Sequence, residues 1–123
     1  MSQYRLTELA QADIIDVLVW SEETFGEAAR RRYEMLLTTA LRDVATDPAR
    51  AGSSAHPELG ETIRIWHLRN SRERARTADG IVQRPRHFLL YQPVRPGLVA
   101  IGRVLHDAMD ISRHPTGFEP DDR

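Results

Sequence analysis

Three histidines, three arginines and one tyrosine carry the chemistry open to this sequence. His67, His87 and His106 are imidazoles, the side chains that titrate nearest neutrality, so any of them could take or give a proton. Arg64, Arg86 and Arg103 could clamp a phosphate, whose geometry a guanidinium matches. The phenol of Tyr91 could serve as an acid. Each has a plainer reading. Strand histidines more often hold hydrogen bonds than react. His106 suits a cap where a strand enters a turn. His106, Asp110 and His114 recur at a spacing of four, but a metal would need a fourth ligand and a supporting shell, so no metal and no cofactor is assigned. Trp66 reads as core or interface, since a lone aromatic is weak evidence for base stacking. Arg64 and Arg103 are the strongest candidates for function, although an ion pair with a helix acid such as Asp13 explains either nearly as well.

The elements that must hold these residues are legible from periodicity. Leu98 to Leu105 reads as a strand with Val99, Ile101 and Leu105 on one face and Leu98, Ala100 and Val104 on the other. Both faces are apolar, as in a strand covered on both sides. Arg103 falls on the face of Val99 and needs a partner, because a guanidinium is not buried alone. Earlier in the chain, Tyr4–Leu6 can open a strand and Thr7 can cap a helix. Ala10, Ile14, Val17, Leu18, Ser21 and Phe25 form one face of that helix, and Gly26 ends it. A second helix follows at once, with Tyr33, Leu36, Leu37, Ala40, Leu41 and Val44 on its apolar face, and Asp47-Pro48 stops it. The pair forms an antiparallel hairpin whose stripe must lie on a sheet. Ile63–Leu68 and His87–Gln92 supply two more strands, Pro93–Gly97 a turn, and Arg69–Arg86 a polar connection. The expected class is α+β: an αα-hairpin on a sheet of three or four antiparallel strands, in the order β-α-α-β-β-β. Residues 1–114 form one domain, and 115–123 an acidic tail expected to fray.

Composition narrows the class of partner. The chain has 123 residues and a net charge of −1, and all 17 of its basic residues are arginine. Charge is segregated: residues 1–63 hold 6 Arg against 11 acids, 64–103 hold 9 against 2, and 104–123 hold 2 against 5. The basic middle suits an anionic partner or is a solvated loop partly neutralised by the helices. Absence of cysteine fits a reducing compartment. With no signal peptide and no membrane-length apolar run in view, the cytoplasm is the expected location.

Ile101-Gly102-Arg103-Val104-Leu105-His106-Asp107-Ala108-Met109-Asp110 resembles the C-terminal signature of the ParE toxins, within the RelE/ParE superfamily of type II toxin–antitoxin systems. Leu6-Thr7, Ala12-Asp13-Ile14, Phe25-Gly26, Asp47-Pro48, Gly60 with Arg64, and His87–Tyr91 extend the likeness from about Tyr4 to His114. The long Arg69–Arg86 connection departs from it. The resemblance implies a plasmid-stabilisation toxin, held silent by a ParD-like antitoxin, that inhibits DNA gyrase without chemistry of its own. It implies neither a membrane nor sequence-specific nucleic acid as partner. Arg64, Trp66, Arg86, Tyr91, Arg103, His106 and Met109 are then the candidate partner-binding residues. The RelE branch implies an alternative, a ribosome-dependent mRNA endoribonuclease, with Arg64, His87, Tyr91, Arg103 and His106 as the candidate catalytic set. Cleavage of that kind needs a base for the 2′-hydroxyl, an acid for the leaving oxygen and cations for the phosphate. RelE-like nucleases rely on clusters of lysine and arginine and a tyrosine near the C-terminus. This chain has no lysine and no tyrosine beyond Tyr91. A further alternative is a relative that binds antitoxin but is not toxic.

Overall fold

The computed structural model describes residues 2–118. Strand β1 (Gln3–Leu6) leads into helix α1 (Glu8–Phe25). The Thr7 side chain accepts a hydrogen bond from the Ala10 N–H, so the predicted cap is in place. Gly26, at φ +96°, separates α1 from α2 (Glu27–Thr46), a conformation that suits glycine. The helices pack as a hairpin, and their stripe covers one face of the sheet. Val17, Tyr33, Leu36, Ala40 and Val44 meet Trp66, Leu89, Tyr91, Val99, Ile101 and Val104 in one core.

The sheet has five strands in the order β1-β5-β4-β3-β2, where β2 is Ser54–Ala55, β3 Arg64–His67, β4 His87–Arg95 and β5 Leu98–His106. The expected antiparallel meander is β3-β4-β5. One short strand, β2 in the Ser/Gly/Pro loop, takes the count above the expected three or four. The expected first strand, β1, pairs parallel to β5 through Gln3–Leu6, so the sheet is mixed rather than wholly antiparallel. With β1 on one side and β4 on the other, β5 is interior over residues 98–101.

One register detail corrects the expected faces of β5. Leu90 pairs with Arg103 but Tyr91 pairs with Ile101, so Gly102 is an extra residue in β5. The bulge reverses the alternation beyond it. Val104 joins Val99 and Ile101 under the helices, while Leu105, paired with Phe88, goes to the other face. That other face is also closed: Phe88, Leu90, Ala100 and Leu105 are each 5% exposed or less. Gly102 is tightly approached there, since a Cβ on it would lie 2.1 Å from the Thr116 carbonyl oxygen and 2.8 Å from the Phe118 ring. Of the tail expected to fray, residues 115–118 are therefore seated on the sheet; the remainder lies outside the described residues. The strand expected over Ile63–Leu68 ends at His67, and two single-turn helices, Leu68–Ser71 and Glu73–Ala75, lead into the connection that follows. Among the described residues no helix is long and apolar enough to cross a membrane.

Candidate functional site

The candidate residues divide among three places. Arg103 meets Asp13 of α1, with Nε 2.7 Å and Nη2 3.0 Å from the two carboxylate oxygens. The same carboxylate accepts the Val104 N–H at 2.9 Å. Strand β1 ends opposite Ile101, so beyond it the edge of β5 is open and Asp13 caps it. The acid that Arg103 required is thus a helix residue that also satisfies a strand edge.

Arg64 and Tyr91 are paired neighbours on β3 and β4, near the 48–53 loop. The Tyr91 hydroxyl donates to the Pro48 carbonyl oxygen at 2.5 Å, so the Ser53 hydroxyl, also at 2.5 Å, donates to Tyr91. Arg64 Nε donates to the same Ser53 oxygen at 2.8 Å, and its Nη2 to the Ser53 carbonyl at 3.3 Å. Burial pushes the Tyr91 phenol above its ordinary pKa. These contacts fasten a loop to the sheet. Trp66 stands in the core, 1% exposed, its Nε1 donating to the Ser71 hydroxyl at 2.9 Å.

The histidines gather at the opposite end of the sheet. His87 and His106 are a cross-strand pair on the helix side, with ring centroids 5.2 Å apart. His67 pairs with Phe88 and so belongs to the other face, although Asp107 links it to the same end. The hydrogen bonds assign the ring protons. His106 Nδ1 accepts the Ala108 N–H at 3.0 Å, and His67 Nδ1 accepts the Arg69 N–H at 3.1 Å. Each neutral ring therefore carries its proton on Nε2, and His67 donates it to Asp107 at 3.0 Å. The Tyr33 hydroxyl accepts the Arg86 N–H at 3.1 Å and lies 2.6 Å from His87 Nδ1; it donates to that nitrogen or accepts from it according to the His87 tautomer.

Electrostatics at this end follow from burial. His87 is 6% exposed, and its pKa is lowered to about 4 by burial, helped by the neighbouring His106. Burial likewise pushes Tyr33 up to about 12. Burial raises the Asp107 carboxyl, but hydrogen bonds from His67 and Arg86 outweigh it and leave the pKa below the ordinary value. The Arg86 Nε donates to Asp107 at 3.2 Å. A cleft of about 310 Å³ opens beside Trp20, His87, Arg103, His106 and Met109. Sequence reasoning missed Tyr33 and Asp107 at this end. Tyr33 reads as one more apolar position of α2, and nothing local in the sequence places its hydroxyl under His87.

The arrangement can hold charge and donate hydrogen bonds, while the acceptor nitrogens of His67 and His106 are taken by backbone N–H groups. Arg64 and Tyr91 stand apart from His87 and His106, and Arg103 is committed to Asp13. The proposed catalytic set is therefore not one constellation.

No curated protein matches the chain significantly. The family model described as the ParE toxin of the type II toxin–antitoxin system, parDE, matches residues 4–111. That match spans both helices and every strand except the first residue of β1, and on it this chain belongs to the ParE toxin family.

Proposed function

We propose that this toxin binds DNA gyrase and blocks replication, acting in the cytoplasm, and that a ParD-like antitoxin keeps it silent until released. The family match over residues 4–111 carries the reading. The side-chain geometry supports binding over chemistry. A histidine acting as general base in RNA cleavage needs an unprotonated ring nitrogen facing the substrate. His67 and His106 direct their acceptor nitrogens to backbone N–H groups instead. The guanidinium groups of Arg64 and Arg103 are held by Ser53 and Asp13. The basic run from 64 to 103 would draw in an acidic antitoxin segment by electrostatic steering.

The test has two arms and one control. Purified protein is added to a gyrase supercoiling reaction and to a translating extract, each with and without the product of the neighbouring small reading frame. Lost supercoiling or broken DNA, relieved by that product, supports the proposal. Cut messages with intact supercoiling replace it with the endoribonuclease reading. Silence in both arms, with the product bound, makes the chain a non-toxic antitoxin binder.

A further inference from the structure

The connection between β3 and β4 carries more positive charge than the chain neutralises. Residues 64–103 hold nine arginines against Glu73 and Asp79. Both acids are already paired: Glu73 lies 3.3 Å from Arg76, and Asp79 3.3 Å from Arg31. Acids from elsewhere take three more of the arginines, with Asp43 on Arg74, Asp107 on Arg86 and Asp13 on Arg103. Of the remainder, Arg64 is held against Ser53 and Arg95 stands at the far end of β4. Arg69, Arg72 and Arg84 meet no carboxylate among the described residues.

The fold brings these three together. Arg69 lies in the single turn Leu68–Ser71, and Arg72 caps it, its N–H donating to the Arg69 carbonyl oxygen at 3.4 Å. Side chains three apart in such a turn stand on one side. The Arg72 guanidinium then crosses the connection, Nη1 donating to the Gln83 carbonyl oxygen at 2.8 Å, beside Arg84. Arg69 and Arg84 are exposed, and Arg72 is half-buried. Arg72 Nε is buried and has no partner among the described residues. A guanidinium short of hydrogen bonds keeps its full charge, which favours an anion at its open edge.

The surroundings indicate which anion. A protein interface is anchored by apolar and aromatic side chains inside a polar rim. Residues 68–86 expose no large apolar side chain. A single nucleic-acid strand needs aromatics on which its bases stack, and residues 68–86 contain no aromatic. A duplex backbone asks only for closely set cations and polar groups. We infer that Arg69, Arg72 and Arg84 bind the phosphate backbone of a DNA duplex without regard to sequence. The inference holds whichever protein the toxin inhibits, because it rests on the charges of this chain alone.

Fluorescence anisotropy of a labelled DNA duplex, titrated with the full chain at several salt concentrations, tests it. The logarithm of the affinity should fall linearly with the logarithm of salt, with a slope of about −2.7 for three phosphate contacts. A second duplex of unrelated sequence should bind equally well. Arg69→Gln and Arg84→Gln should each weaken binding about tenfold at low salt and make the slope shallower by about one. Arg72→Gln should do the same; if circular dichroism shows it unfolded, the two exposed positions decide. Arg95→Gln removes the same charge at the far end of β4 and should leave affinity and slope nearly unchanged. No binding at low salt, or equal losses for Arg95→Gln and the other variants, would overturn the proposal. So would polyglutamate that displaces the duplex at equal charge, since the patch would then suit an acidic protein.

Discussion

Replacing Asp13 by alanine should destabilise this protein far more than removing an exposed acid such as Glu34. The carboxylate holds two guanidinium N–H groups of Arg103 and the Val104 backbone N–H. Removing one partner of a buried ion pair costs about 3–5 kcal/mol, because the other charge is left without compensation. Here the two side chains keep slight solvent contact, 12% and 14%, which argues for the lower end. The orphaned Val104 N–H adds about 1–3 kcal/mol. We therefore expect a loss of about 4 kcal/mol, a large share of the roughly 5–15 kcal/mol that holds a domain folded. Urea unfolding followed by circular dichroism would show the midpoint fall with the slope unchanged. Asp13→Asn should lose less, since its amide oxygen can still accept from Val104. A double variant, Asp13→Leu with Arg103→Met, should recover much of the loss, because a buried pair replaced by apolar side chains is often neutral. An Asp13→Ala protein within about 0.5 kcal/mol of the parent, the range of ordinary surface substitutions, would refute this account of the β5 edge.

Three other outcomes follow from particular contacts. His87 is depressed to about 4 in the folded protein, against an ordinary value of 6.5. The unfolded chain therefore takes the proton first, so its contribution is intact above pH 6.5 and is lost as pH falls toward 4, by up to about 3 kcal/mol; His87→Phe should flatten that part of the stability–pH curve. Gly102→Ala should destabilise by about 1–3 kcal/mol or displace residues 116–118, seen as faster amide exchange in that segment with the helical hairpin unchanged. Tyr33→Phe removes the hydroxyl shared by the Arg86 N–H and His87, and should cost about 1–3 kcal/mol in thermal or urea unfolding.

How much of this was legible in the sequence depends on the range of the interaction. The Thr7 cap, the Gly26 break and the Asp47-Pro48 stop are local signals, and all mark helix limits in the structure. The strands of the meander announce themselves by apolar pattern, with Ile63, Ile65, Trp66 and Leu68 in the first, Phe88–Tyr91 in the second and Leu98–Ile101 in the third. β1 and β2, with four and two residues, carry too little pattern to show whom they pair with. The Gly102 bulge defeats a strict period of two, so Val104 and Leu105 exchange faces relative to expectation. A glycine inside a strand is the one hint that was present. The need of Arg103 for an acid was readable from burial alone. Its partner Asp13 lies 90 residues away and could be named only as an example. The ring tautomers of His67 and His106 depend on backbone N–H groups two residues on, in turns whose geometry the sequence does not specify.

The claim that this toxin works by binding is tested most directly by titrating gyrase with it at several gyrase concentrations. A binder must be supplied in proportion to its target, so the amount giving half-inhibition of supercoiling should rise in step with gyrase. Inhibition complete at a small fraction of the gyrase present, or supercoiling untouched while messages are cut, would contradict the account.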